Sequence, residues 1–288
     1  MGKIIIIILI LFVLVIIAES IRENRMFRVT RYHLKSPKIG ESIRIVFLTD
    51  LHNQTYGADN QRLLKAIELQ HPDMILIGGD MLVSNSKVEC YNEAVKLVKT
   101  LAGQYPVFYA NGNHEQRMKE QPEVYGDMYQ QYMKQIKGLG IHFLANQTET
   151  IVIKGQALTI TGLEIYYKCY TKGFKTEPFT LTDAEKCIGK KRGKRYHILL
   201  AHNPMYMDAY KEWGADMILS GHLHGGVVRI PGLGGVISPQ IRLFPKYSGG
   251  HVKEDDIDII SGRGLGSHSI PIRIFNIPEL VVIQLKGE

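Results

Sequence analysis

The chain has 288 residues, 45% hydrophobic and 22% charged, with a formal net charge of +7. That composition is ordinary for a globular protein with a full core, in one large domain or two small ones. Three cysteines, Cys90, Cys169 and Cys187, form no CxxC pair and leave an odd count, which argues against a disulfide framework or a structural zinc site. The positive balance suits an anionic partner, whether phosphate ester, nucleic acid or membrane surface, without choosing among them.

Ile4 to Ala18 is an uncharged apolar run. Its roughly 22 Å of helix is short of a ~30 Å hydrocarbon core, but extension through Ile21 with Lys3 and Glu19 snorkelling lets it span. Residues 1–21 are therefore expected to be a membrane anchor, with a cleaved signal peptide ending near Ala18-Glu19-Ser20 as the rival. Arg22, Arg25, Arg28, Arg31 and Lys35 follow the run, whereas only Lys3 and the amino terminus precede it. The positive-inside rule then places the rest of the chain in the cytoplasm, at a single-pass cell membrane; secretion is the alternative. Residues 22–42 read as a basic linker, broken at Ser36-Pro37.

The folded domain is expected over residues 43–288. Ile45 to Thr49 is a buried strand ending in Asp50-Leu51-His52. A helix from Asp59 to Gln70 follows, then a strand, Met74 to Ile77, running into Gly78-Gly79-Asp80. Val88 to Leu101 reads as helix, and Pro106 to Ala110 as a strand ending in Asn111-Gly112-Asn113-His114-Glu115. Asp127 to Ile136 reads as helix, with Tyr125, Tyr129 and Tyr132 as a core or capping stripe. From Ile141 to Leu144, Thr150 to Ile153 and Leu158 to Gly162 the pattern is short strands with no helix between, read as antiparallel sheet. Residues 164–180 are irregular and aromatic, with Tyr166, Tyr167, Tyr170, Phe174 and Phe179. Thr182 to Ile188 is a short helix.

Gly189 to Arg195 is a basic loop, read as solvated or as attracted to lipid head groups or a phosphate substrate. It lacks aromatic interleaving, so it is not a nucleic-acid site. Tyr196 to Ala201 is a strand ending in His202, Met205 to Trp213 a helix, and Ala215 to Leu219 a strand ending in Gly221-His222-Leu223-His224. Further strands are expected at 227–230, 258–261 and 280–283. Gly262 to Gly266 imitates a dinucleotide loop, but no helix follows it.

Five strand ends thus carry ligand-type residues: Asp50 and His52, Asp80, Asn113 and His114, His202, His222 and His224. An α/β sheet gathers such ends into one crevice. Mixed Asp, Asn and His donors suit two divalent ions of intermediate hardness, with Asp80 placed to bridge them. Two ions can clamp an in-line displacement, leaving one histidine as a general acid. Leaving its strand, the His222-x-His224 pair can splay its rings toward different ions.

Asp50-x-His52, Gly79-Asp80, Gly112-Asn113-His114-Glu115, His202 and Gly221-His222-x-His224 resemble, in order, the five motifs of the calcineurin-like metallophosphoesterases, over about residues 43–286. The resemblance implies a four-layer α/β/β/α sandwich of two mixed sheets. It implies Asp50, His52, Asp80 and His224 on one metal, and Asp80, Asn113, His202 and His222 on the other. His114 would protonate or steer the leaving group. Two divalent ions are implied, manganese foremost, with iron or zinc as alternatives. Arg263-Gly264-Leu265-Gly266 with Pro271-Ile272-Arg273 resembles the membrane-associated branch, which includes enzymes acting on UDP-diacylglucosamine. Val83 stands where many relatives have a further Asp, outside the ligand set. The expected activity is hydrolysis of a phosphodiester or pyrophosphate, with a lipid-linked substrate at the membrane as the specific hypothesis; a non-catalytic metal-binding scaffold is the alternative. No nucleic acid and no obligate protein partner are expected. His33, His71, His142, His197, His251 and His268 are set aside as structural, although His251 and His268 lie in Gly-rich loops that could border the substrate.

Overall fold

The computed structural model describes residues 2–171, 177–238, 240–267 and 271–288. Its strands are β1 (Arg28–Lys35), β2 (Ile43–Leu48), β3 (Met74–Ile77), β4 (Val107–Tyr109), β5 (His142–Phe143), β6 (Gln147–Ile153), β7 (Gln156–Leu163), β8 (Tyr196–Ala201), β9 (Met217–Ser220), β10 (Arg229–Ile230), β11 (Gly234–Gly235), β12 (Gly250–Glu254), β13 (Ile257–Ser261) and β14 (Glu279–Lys286). The helices are α1 (Gly2–Asn24), α2 (Gln61–Glu68), α3 (Asn92–Ala102), α4 (Asn113–Glu120), α5 (Pro122–Tyr125), α6 (Met128–Lys137), α7 (Leu181–Ile188) and α8 (Met207–Trp213).

Two six-stranded mixed sheets face each other, in the orders β1-β14-β2-β3-β4-β5 and β12-β13-β9-β8-β7-β6. Alternation along the strands explains the layers. Ile45 and Phe47 of β2, with Met74 and Leu76 of β3, point inward and meet Ile198 and Leu200 of β8 and Met217 and Leu219 of β9. Val46 and Leu48, one residue out of step, pack instead against Leu63, Ile67, Leu97 and Ile136 on α2, α3 and α6. Leu199 and Ile218 of the second sheet pack on Ala184, Tyr210 and Trp213 of α7 and α8. Strands covered on both faces must be apolar at every position, so the continuous runs in the sequence are this four-layer α/β/β/α sandwich.

Two expectations are corrected, and one helix is added. The supposed linker over 22–42 holds β1, which pairs in parallel with β14 from Arg28 opposite Glu279 to Lys35 opposite Lys286. As an edge strand it carries Arg28, Arg31 and Lys35, the kind of charge that keeps an edge from recruiting other chains, and its polarity hid it. The strand near Ile141 is β5, which joins the first sheet in parallel with β4, while β6 and β7 form the antiparallel pair. The polar segment after Asn113 is helix α4, whose N-terminal turn has Glu115 accepting from Gly112 N–H at 3.0 Å.

α1 extends past the apolar run at both ends. It is long and apolar enough to cross a membrane by length and composition, and a secretory signal passes the same test.

His197 on β8 is buried against Trp213, with ring centroids 4.8 Å apart. Its Nε2 lies 2.7 Å from Thr161 Oγ1. Burial, helped by the charge of Lys191, pushes its pKa down from 6.5 to about 4. The unfolded chain therefore takes up this proton more readily than the folded one. The resulting stability is fully present above pH 6.5 and is lost as pH falls toward 4, by about 3 kcal/mol at most. His197→Phe, in chelator-treated protein, is expected to flatten the fall of Tm between pH 7 and 4.5. Identical slopes in the two proteins would show that His197 does not carry that loss.

Candidate metal centre

All eight residues singled out in the sequence stand just beyond the carboxyl ends of β2, β3, β4, β8 and β9. Both sheets end there together: the His222 N–H donates to Asp50 Oδ1 at 3.0 Å, and His202 Nε2 is 3.3 Å from Asp80 Oδ2. Asp50, His52, Asp80, His222 and His224 have φ between 48° and 65°, a region costly for residues with a Cβ and concentrated at functional turns. Two glycines let the loops cross. A Cβ on Gly79 would stand 2.0 Å from Gly112 N, and one on Gly112 would stand 2.3 Å from Asp80 Oδ1.

The two histidines of the last motif splay. Ligand atoms of Asp50, His52 and His224 lie within 4.8 Å of one another, as do those of Asp80, His202 and His222 and those of His52, Asp80 and His114.

Within these groups, lone pairs meet lone pairs. His52 Nδ1 and His224 Nδ1 face the carbonyls of Leu82 and Gly266 at 3.4 and 3.2 Å. Those nitrogens are therefore the protonated ones, and the two Nε2 atoms, 3.0 Å apart, present lone pairs to each other and to Asp50 Oδ1, 3.3 Å from His224 Nε2. His202 Nδ1 donates to Gly78 O at 2.6 Å, turning its Nε2 lone pair on Asp80. The Asn113 oxygen stands 2.7 Å from His222 Nδ1 and 3.1 Å from Asp80 Oδ2, three acceptors together. Rotating that amide would relieve the last contact, but no rotation relieves the first two. Convergent acceptors in a buried pocket fit cations, and the donor set of carboxylate, amide oxygen and imidazole fits divalent ions of intermediate hardness.

Without a cation, protons must supply the positive charge. Burial works against a charged His202, yet Asp80 and Asp50 outweigh it and push the ring up to about 9. Burial, opposed by His202 and reinforced by Asp80, pushes Asp50 up to about 6. Burial also acts on Asp80, but His202, His114 and His52 hold it well below the carboxylate range.

His114 differs from the other histidines. Its Nδ1 accepts from the backbone N–H of Ser84 at 3.0 Å, with Ser84 Oγ also at 3.0 Å, and its own backbone N–H donates to Asp80 Oδ1 at 2.8 Å. A backbone N–H can only donate, so the neutral ring keeps its proton on Nε2. That tautomer offers Nε2 as a hydrogen-bond donor rather than as a ligand atom.

Sequence reasoning missed the residues that hold this site. Glu115, fully buried, accepts from the N–H groups of Asp80 (2.9 Å), Met81 (2.9 Å) and Gly112 (3.0 Å) and from Tyr109 OH (2.9 Å), tying two ligand loops together. Its place three residues after Gly112 was the available signal. Arg273, 1% exposed, donates to the carbonyls of Gly266, Arg263 and Asn276 at 2.7, 2.9 and 3.0 Å, and so braces the carbonyl that orients His224. Tyr170 sets its ring against His222, 5.1 Å between centroids. Of the other aromatics in that stretch, Phe179 is buried in the core of the second sheet, Tyr166 is exposed, and Phe174 lies outside the described residues, as does His268. His251 pairs with Asp258 at 2.7 Å on β12 and β13. The basic loop before Tyr196 opens β8, whereas His202 follows its other end; about 20 Å of strand separates them, so the loop does not border the site.

The sequence profile of the family described as Calcineurin-like phosphoesterase matches residues 43–226. The chain is 23% identical over 270 residues to a protein of Bacillus subtilis (strain 168) named Uncharacterized metallophosphoesterase YkuE, covering 92% of this chain and 87% of that one. It is 26% identical over 278 residues to an uncharacterized metallophosphoesterase of Aquifex aeolicus (strain VF5), covering 94% and 96%. It is 25% identical over 246 residues to Phosphodiesterase YaeI of Escherichia coli (strain K12), covering 84% and 82%.

Proposed function

The chain belongs to the calcineurin-like phosphoesterase family and is a metal-dependent phosphoester hydrolase; from that premise we propose that it cleaves phosphodiester or pyrophosphate bonds at a centre of two divalent ions. The observation that carries this reading is the facing of buried lone pairs at His52, His224, His202 and Asp80. Asp50, His52, Asp80 and His224 would hold one ion, and Asp80, Asn113, His202 and His222 the other, with Asp80 shared. Manganese is the first candidate, ahead of iron and zinc. When bound, the ions would activate water and neutralise charge on the phosphoryl oxygens. His114, held by Ser84 in the tautomer with its proton on Nε2, donates a hydrogen bond from that N–H to the departing oxygen and stabilises the charge that builds there. Glu115 keeps the Asp80 and Asn113 loops in register. The name of the Escherichia coli relative supports a diester over a monoester substrate.

We read α1 as a single-pass anchor in the cell membrane, with the basic residues after it favouring a cytoplasmic domain. A lipid-linked diester or pyrophosphate is then the expected substrate.

The test is metal analysis together with turnover. Purified full-length protein reconstituted with manganese is expected to hold two ions per chain and to hydrolyse bis(p-nitrophenyl) phosphate faster than p-nitrophenyl phosphate. A single ion overturns the paired site, and a monoester preference overturns the diester assignment.

A further inference from the structure

We infer that the loops around Leu233, Leu243, Phe244 and Phe275 form a second membrane contact beside α1, an apolar apron that dips into the bilayer and sets the mouth of the metal centre at the lipid surface. This rests on the reading of α1 as an anchor.

The apron is built to show apolar side chains to its surroundings. Leu233 and Leu243 are each 70% exposed, Phe275 64% and Phe244 56%. Ile241, Phe244 and Phe275 hold φ of 63°, 46° and 53°, a strained setting for bulky side chains, and outright rare for a β-branched one. In water neither the exposure nor the strain is compensated. Scattered apolar residues on a surface need no explanation, but a contiguous patch does.

The loops that carry these side chains are fastened to one another. Arg229 N–H donates to Ile274 O at 3.0 Å, Phe244 N–H to Val236 O at 2.9 Å, and Ser238 N–H to Arg242 O at 2.9 Å. These bonds knit the two loops into one unit.

The occupant follows from what this unit is fastened to. Asn24 Nδ2 donates to Pro271 O at 2.9 Å, Arg273 N–H to Ser20 Oγ at 3.0 Å, and Asn276 N–H to the buried Glu23 carboxylate at 2.9 Å. The last turns of α1 are thus part of the domain, not a tether to it. An apolar groove of ≈ 180 Å³ runs between them, lined by Ile16, Ile17, Ile21, Pro271 and Ile272, continuous with the bare apolar surface of the helix. If α1 is in lipid, the apron stands where the helix leaves it. Exposed Arg25 at that level adds charge suited to anionic head groups, while Arg22 and Lys246 are paired with Glu19 and Glu254 at 2.6 and 3.0 Å. Asn276 also donates its side-chain N–H to His224 O at 2.7 Å and Gly226 O at 2.6 Å. One residue therefore joins the helix end to a proposed metal ligand.

The experiment places a tryptophan on the apron and another far from it. Full-length Phe244→Trp and Val152→Trp are each reconstituted in phosphatidylcholine vesicles with a minority of phosphatidylglycerol, with and without nitroxide-labelled acyl chains. Val152, exposed on β6 beside the start of β7, is at the opposite end of the sheets. The unsubstituted chain, with its single buried Trp213, gives the background. The expected result is quenching at least about twofold stronger at position 244, as for a side chain in the head-group and acyl boundary. Equal quenching at both positions, in protein that floats with the vesicles, overturns the apron and leaves the anchor standing. Protein that does not float overturns both. Absence of diester turnover in the unsubstituted chain tells against the catalytic reading and leaves the quenching result intact. As a second arm, Leu243→Ser with Phe244→Ser is expected to lower turnover of a vesicle-borne diester while sparing a water-soluble one. Equal rates on the vesicle-borne diester before and after substitution would count against the apron.

Discussion

Asp80→Ala is expected to lower diester turnover by about 10³-fold or more and to remove most of the bound metal, because losing the charge stabilisation of a metal site removes several kcal/mol of barrier lowering. Asp80 reaches both ligand groups. Its Oδ2 is 3.3 Å from His202 Nε2 and 3.8 Å from His52 Nε2, and its Oδ1 accepts from His114 N–H at 2.8 Å. Truncation therefore strikes both ions and the seat of His114 together. Asp80→Asn separates these effects, since it keeps an acceptor for the His114 N–H while dropping the charge. It should fold as well as the parent yet fail to gain the rise in Tm that manganese gives the parent by binding only the folded state. Asp80→Ala that retains its full metal content would refute the bridging assignment, whatever its activity.

Much of this was legible before any coordinates, for a physical reason. Strands buried on both faces are apolar along most of their length, so β3 and the inner parts of β2, β8 and β9 announce themselves as apolar runs, and polar residues cluster where the strands end. What stayed hidden lacks such a local signature. β1 is an edge strand whose partner β14 lies some 250 residues away, beyond the reach of any periodicity. β5 follows α6 with the same look as β6, and only its parallel pairing with β4 assigns it to the first sheet. α4 is almost wholly polar because its first turn belongs to the site. Arg273 enters the sequence reading only within Pro271-Ile272-Arg273, and what buries it, three converging carbonyls, has no local signature. The basic loop at 190–195 shows the opposite error: its charge suggested a place near the substrate, yet it leads into the start of β8 while His202 stands past the other end.

The place of α1 matters for how the site meets a substrate. A flexible tether of some twenty residues would let the domain roam within tens of ångströms of a bilayer. Instead β1 starts at Arg28, four residues after α1 ends at Asn24. Ser20, Glu23 and Asn24 bond to the segment that also braces His224. An anchored helix would then fix the orientation of the metal centre and not merely its distance from the membrane.

His114→Ala is expected to lower kcat by about 10²–10⁴-fold while leaving metal content unchanged. The geometry admits two roles for this ring, because its ligand atom lies within 4.8 Å of those of His52 and Asp80. The tautomer decides between them. To ligate through Nε2, the ring would have to carry its proton on Nδ1, directly against the N–H of Ser84 at 3.0 Å. With Nδ1 accepting, the proton sits on Nε2, where it can donate a hydrogen bond to a departing oxygen. The loss should therefore depend on the leaving group. An alkyl diester, whose alkoxide leans hardest on that hydrogen bond, should show the full decrease, whereas a nitrophenyl diester, whose phenolate departs unaided, should show much less. Ser84→Pro, which deletes the N–H that fixes the tautomer, should reproduce part of this leaving-group dependence with the imidazole still present, provided Tm shows the loop intact. Equal losses on both substrates in His114→Ala, accompanied by loss of metal, would make His114 a ligand and leave the hydrogen-bond donor to the leaving group to be found elsewhere.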